Sequence, residues 1–212
     1  MLKAATQITD MLLVIQATIT LFISLRAFSL SAQTKDDTLF TLGLSMGVIA
    51  LGGMIGLMSD IFLDRAFNTF WFRYIGQTVG YLFIFLSTLG GSEHYRRGLK
   101  RWHVIATGFL LLLLLLTPVI PAHPDRIVQA ALSGSRGLVC FIIFFHYVSI
   151  FFSKATRFSF LMCFAFFWIS WGIVIYTLPF VSATLDPLLL NYAGDSVRIV
   201  GLVALLAAFF LA

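Results

Sequence analysis

Charge is scarce in this chain. Only 11% of its 212 residues are Asp, Glu, Lys or Arg, against about 25% in an average soluble domain, so the polypeptide cannot clothe a water-facing surface. Cysteine is scarcer still. Cys140 and Cys163 both lie inside apolar segments, where they read as small buried residues, and a disulfide framework is unsupported. No stretch of ten residues alternates apolar and polar with period two, which argues against an outer-membrane β-barrel. H-E-x-x-H, G-x-S-x-G, Walker A and dinucleotide-binding glycine motifs are all missing, so nothing marks an enzyme and no cofactor is implied. The last apolar segment has Arg198 and no lysine, which excludes a retinal Schiff base. Bound haem would want two imidazoles deep in facing helices. Of His94, His103, His123 and His146, only His146 falls well inside an apolar segment, and the simpler reading is a hydrogen-bonded interior histidine.

What the chain has is apolar length. Sixty per cent of it is hydrophobic, with 23 Phe and a mean hydropathy of +0.99. Seven apolar segments approach the roughly 20 residues that cross a core of about 30 Å: Ile8–Leu30, Thr38–Leu63, Trp71–Leu89, Val104–Ile120, Ile127–Phe152, Phe158–Val181 and Ser196–Leu211. The predicted fold is an all-α integral membrane protein, a single transmembrane domain of seven helices over residues 1–212 with short connections and no soluble domain. The first segment resembles a signal peptide in following Lys3. It is too long, however, carries Asp10 and has no small-x-small cleavage site, so it is expected to be retained.

Basic residues set the expected orientation. The first, third and fifth loops carry Arg26, Lys35, Arg96, Arg97, Lys100, Arg101, Lys154 and Arg157, while Lys3, Arg65, Arg73, Arg126 and Arg198 lie toward the other side. The positive-inside rule then places the N-terminus outside and the C-terminus in the cytoplasm. The densest basic cluster, Arg96 to Arg101, is flanked by Tyr95 and Trp102 at the interface. It reads first as a topology determinant and second as an attractor of anionic lipid headgroups, and it is too short to imply nucleic-acid binding. Pro118, Pro121 and Pro124 end the fourth helix, whose run from Leu110 to Leu116 has no polar face and should meet lipid. Glycines at Gly43, Gly47, Gly52, Gly56, Gly76 and Gly80 have the four-residue spacing that lets helices approach closely in lipid. Packing within the chain is the expected use, with a homo-oligomer seam as the alternative.

The residue that organises the functional expectation is Arg136, set among Ser133, Gly134, Ser135 and Gly137. An ionisable group at bilayer depth is costly and is a functional candidate by default. It lies about nine residues into its helix, roughly 13 Å at about 1.5 Å per residue. Gln129, Ser133, Arg136, Cys140 and Tyr147 fall on one helical face. The expectation is an outward-facing polar cavity floored by Arg136, with Gln77, Gln129, Ser133, Arg73 and Arg198 as donors and Asp10 or Asp60 as counter-charge. It would suit a small anionic or polar ligand, because arginine presents a planar fork to carboxylate or phosphate. The competing expectation is a buried pair of Arg136 with Asp60 or Asp10 that only fixes helix register. Asp60-x-x-x-Asp64 could hold Mg²⁺ over a diphosphate, as aspartate-rich motifs do in intramembrane prenyltransferases. It stands without a second such motif and reads better as a solvated helix end.

These observations favour a membrane sensor or ligand-binding module with lipids and a small ligand as partners. The helix count is similar to that of the multi-helix membrane sensor domains of bacterial signalling proteins, which implies a bacterial inner membrane and a cytoplasmic signalling partner. Helix seven stops at Ala212 with no basic flank, which would fit a chain cut from something longer. A small transporter or channel is the first alternative; it needs internal symmetry and interrupted helices, for which Gly134 and Gly137 are the only hint. A structural or accessory subunit of a larger complex is the second.

Overall fold

A computed structural model describes residues 2–62, 69–116, 124–182, 184 and 186–211. Among them there are seven α-helices: α1 (Leu2–Thr34), α2 (Asp37–Phe62), α3 (Phe70–Thr88), α4 (Glu93–Leu115), α5 (Arg126–Lys154), α6 (Arg157–Val181) and α7 (Pro187–Leu211). All but α3 are long and apolar enough to cross a membrane. The 19 residues of α3 are interrupted by Arg73, Gln77, Thr78 and Ser87.

Three boundaries differ from the hydropathy pattern, each for a local reason. The basic run expected to be a loop is the first part of α4. Ser92 caps it by accepting from the Tyr95 amide, and Arg97 reaches back 2.9 Å to Glu93 one turn earlier. Helix α7 starts nine residues before Ser196. Pro187 occupies its first position, where no amide hydrogen is needed, and the Asp186 carboxylate accepts from the Leu188 amide at 2.9 Å. Helix α1 runs past Leu30 to Thr34 and stops at Lys35, whose φ of 55° breaks the helix. Asp36 then opens α2 by accepting from the Thr38 amide at 2.8 Å. The α5–α6 junction repeats this arrangement, with Ala155 at φ 46° followed by Thr156, which accepts from the Ser159 amide.

The chain divides into two compact units, Met1–Ile19 with Arg126–Ala212, and Thr20–Asp125. In the first, α6 packs between α5 and α7. The α6–α7 seam is glycine on backbone: a Cβ at Gly172 would come within 2.6 Å of the Gly194 carbonyl oxygen, one at Gly194 within 2.8 Å of the Gly172 oxygen, and one at Gly201 within 2.7 Å of the Ala165 oxygen. The α5–α6 seam is aromatic, with Tyr147 stacked on Phe166 at 6.2 Å and Phe144 against Phe167 at 5.4 Å.

In the second unit, α2 uses one glycine pair for each neighbour. Gly43 and Gly47 face Phe28 and Ser24 of α1, and Gly52 and Gly56 face Phe72 and Arg73 of α3. Ser24 donates to the Gly43 carbonyl at 2.7 Å. The α2, α3 and α4 helices share a core of Val48, Phe72 and Leu110. The leucine run of α4 is largely exposed, as expected for a lipid-facing surface: Leu111, Leu112, Leu115 and Leu116 are all open.

Candidate functional site

Along α5 the buried positions include Ser133, Arg136, Cys140 and Ile143, so the polar stripe read from spacing is the helix's inner face. Arg136 is only 3% exposed. Its Nη2 donates to Ser133 Oγ at 2.5 Å and its Nε to the Leu132 carbonyl at 3.2 Å, so part of its hydrogen-bonding capacity is spent on its own preceding turn. Across the seam, Ser170 of α6 donates 2.8 Å to the carbonyl of Gly137, which ties α6 to α5 beside the arginine. Helix α5 runs unbroken through Gly134 and Gly137.

A second cation of this unit set away from the helix ends is Arg198 on α7. It occupies the turn between Gly194 and Gly201, on the side of α7 that meets α6; a Cβ on Gly172 would touch its backbone. Its side chain is 11% exposed, and Nη1 lies 3.6 Å from the Asp195 carboxylate. Nη1 also donates to Gln16 Oε1 at 3.3 Å, while Gln16 Nε2 donates to the Asp195 backbone carbonyl at 3.4 Å. Tyr176 of α6 presents its ring 5.5 Å from the guanidinium carbon. The remaining donors, Nε and Nη2, are buried and have no hydrogen-bond partner among the described residues. These two N–H groups lie along one edge of the guanidinium plane and point the same way, the fork that accepts a carboxylate in bidentate fashion. Leaving such donors unpaired in a buried setting costs on the order of 1–3 kcal/mol or more. Arg136 and Arg198 belong to the same helical unit, and Cys140 is buried one turn beyond Arg136.

The residues expected to form one site fall into two groups. Arg136, Ser133, Gln129, Asp10 and Arg198 belong to the unit built on α5–α7 and the start of α1; Arg73, Gln77 and Asp60 belong to the unit built on α2–α4. Within the first group, Arg136 bonds Ser133, Gln129 is half-buried on the same helix, and Asp10 is half-buried on α1. Arg198 takes its contacts from Asp195 and Gln16. In the second group, Arg73 is half-buried and lies along the Gly52–Gly56 face of α2, 6.0 Å from the Phe70 ring. Gln77 is half-buried one turn further along α3. Asp60 is described only as helical backbone, and Asp64 lies outside the described residues, as do Pro118, Pro121 and His123.

Two features escaped the sequence reading. Gln16 is the single amide in the apolar run from Met11 to Ala17, and that isolation was the available signal. The other is a neutral polar layer in the second unit. His103 is fully buried and stacked on Phe83 at 4.1 Å. Among the described residues, both of its ring nitrogens, Thr107 Oγ1 and Ser45 Oγ have no hydrogen-bond partner. Lys100 bonds Asp37 and Leu110 clusters with Val48, a register that sets Thr107 level with Ser45. Among the described residues no three His, Cys, Asp or Glu side chains gather as metal ligands. Compared with known protein families, curated proteins and solved structures, the chain matches none.

Proposed function

We propose that this protein is a multi-pass membrane module that binds a small carboxylate through Arg198. The observation that carries the reading is the buried, unpartnered Nε–Nη2 edge of that residue. Nη1 is held by Asp195 and Gln16, so the guanidinium is fixed in orientation with its fork free. Arg136 supplies a second positive charge in the same helical unit, and Tyr176 presents its ring to the cation. A preorganised fork costs little side-chain entropy on binding, which is why arginine suits buried carboxylate recognition. In this reading α3 is a seventh span, the N-terminus is outside, the membrane is a bacterial inner membrane, and ligand occupancy is passed to a cytoplasmic partner, as expected of a sensor. The uninterrupted course of α5 through Gly134 and Gly137 gives no support to a transporter with broken helices. A structural role has one specific observation in its favour, the hydrogen bonds of Gln16 to Arg198 and to the Asp195 carbonyl, which would by themselves tie α7 to α1.

Thermal unfolding of the detergent-purified chain separates the two. Acetate at constant ionic strength raises the midpoint relative to chloride, by an amount equivalent to about 2.7 kcal/mol when ligand reaches 100 times its Kd. Arg198→Lys keeps a charge but loses the fork, and it abolishes the acetate response. Asp195→Asn removes the competing carboxylate and strengthens that response. If Arg198→Lys responds like the unaltered protein, or if acetate acts no differently from chloride in both the unaltered chain and Asp195→Asn, the pair is structural.

A further inference from the structure

The N-terminal half of α4 carries a second feature, in the other unit and independent of the arginine fork. A groove of about 580 Å³ runs along this helix, lined by Asp37, Arg97, Lys100, Arg101, Val104 and Ile105. Its two ends differ in chemistry. One end is basic; the other consists of Val104 and Ile105, which are 49% and 48% exposed. Between them in the sequence, Trp102 is 67% exposed, and an exposed tryptophan between a charged and an apolar stretch marks the membrane–water boundary. The groove therefore straddles headgroup level, with its cations on the water side and its aliphatic residues on the lipid side.

The neighbouring carboxylates do not neutralise it. Lys100 is 2.7 Å from Asp37 and sits over the Phe40 ring at 4.5 Å, which fixes the ammonium in the groove wall. Glu93 pairs with Arg97 in a geometry where both side chains are open to water, 84% and 68% exposed, an arrangement worth little and readily exchanged. Arg101 lines the groove with no ion pair among the described residues. Taken together, the α1–α2 turn and the start of α4 hold Lys35, Arg96, Arg97, Lys100 and Arg101 against Asp36, Asp37 and Glu93, an excess of positive charge.

We propose that this groove is a binding site for one anionic phospholipid, its phosphodiester held by Arg97 and Arg101 and the start of an acyl chain lying on Val104 and Ile105. Both halves are needed. The cations select a lipid of net negative charge over a zwitterionic one, and the aliphatic floor distinguishes a lipid from a free phosphate.

Native mass spectrometry of the full chain, released from phosphatidylcholine nanodiscs doped with phosphatidylglycerol, tests this directly. The unaltered protein retains phosphatidylglycerol in preference to phosphatidylcholine. Arg97→Gln with Arg101→Gln weakens that retention by roughly thirtyfold, the effect of two basic residues at about 1 kcal/mol each near a membrane surface. Arg97→Lys with Arg101→Lys retains most of it and serves if the neutral pair expresses poorly. Lys154→Gln with Arg157→Gln removes the same charge at the α5–α6 junction and leaves retention unchanged. Three outcomes overturn the proposal: equal retention by the glutamine pair, an equal loss in the Lys154–Arg157 control, or displacement of the lipid by millimolar inorganic phosphate.

Discussion

The two helical units solve the same packing problem with different contacts. On α6 and α7, glycines oppose backbone: the atoms nearest a new Cβ at Gly172, Gly194 and Gly201 include carbonyl oxygens and amide nitrogens at 2.6–2.8 Å. On α2, glycines oppose side chains, with Phe28 against Gly43, Ser24 Oγ against Gly47 and the Arg73 guanidinium against Gly56. The buried polar groups differ in parallel. The α5–α7 unit buries the charged groups Arg136 and Asp195, whereas the α2–α4 unit buries uncharged groups, Ser45, Thr41 and His103. Close backbone approach leaves a helix pair no freedom to slide, and a fixed guanidinium such as that of Arg198 needs such a frame. Side chains packed into glycine grooves can re-adjust. The first unit is thus built for fixed geometry and the second for accommodation.

Alanine substitution gives the largest separation between them. Gly201→Ala puts a methyl group 2.7 Å from the Ala165 oxygen and the Ile169 amide nitrogen, and neither can move without parting the helices. A destabilisation of about 2–4 kcal/mol is expected, the upper range for overpacking. Gly56→Ala meets only the flexible end of Arg73 at 3.0–3.3 Å and should cost less than about 1 kcal/mol. Denaturant unfolding in mixed micelles measures both. Equal costs would show that the α6–α7 seam relaxes as readily as the α2–α3 seam, and the contrast between the units would then be lost.

A middle-sized effect of opposite sign is expected in the second unit. His103 presents a flat ring to Phe83, with an interplanar angle of 6°, and two ring nitrogens with no partner. His103→Phe keeps the ring contact and removes the unsatisfied polar atoms, so it should stabilise the protein by about 1–2 kcal/mol. The same unfolding assay reads it. A loss of stability instead would mean that the imidazole nitrogens are engaged in the membrane, by internal water or another small polar group.

These contrasts were only partly legible in the sequence. Seven helices, the inner face of α5 and the exposure of the α4 leucines follow from period and hydropathy and are seen among the described residues, with six of the helices long and apolar enough to span a membrane. The glycines at Gly43, Gly47, Gly52, Gly56, Gly76 and Gly80 were legible because four-residue spacing is a known packing signal. The tighter seam was not, because it sets Gly194 against a lone Gly172 and Gly201 against Ala165 and Ile169 of another helix, and a pattern search within one helix cannot pair them. Arg136 drew attention as the cation deepest in an apolar run. Arg198 drew less, since the seventh apolar segment was expected to begin only at Ser196; capping by Asp186, ten residues before Ser196, makes Arg198 helix interior. Side-chain reach was equally hidden. Nothing in spacing says that Arg136 turns back to Ser133 while the Nε–Nη2 edge of Arg198 stays open, because that choice depends on what Gln16 brings from another helix.

The smallest effect tests how the frame around the arginines is held. Ser170 donates to the Gly137 carbonyl at 2.8 Å, fully buried, and that carbonyl already belongs to the α5 helix ladder. A hydrogen bond between membrane helices contributes about 0.6 kcal/mol on average and seldom more than about 1.7, so Ser170→Ala should lower stability by that amount. Thr177 on the same helix spends its hydroxyl on its own Ile173 carbonyl at 2.7 Å. Thr177→Ala removes a bond that ties nothing across a seam, and it should leave the acetate response of Arg198 untouched. Ser170→Ala, by loosening α6 against α5 next to Arg136, should weaken that response as well as the fold. If both variants alter acetate binding equally, the cross-helix bond has no special part in holding α6 against α5, and the rigidity of the first unit rests on its glycines alone.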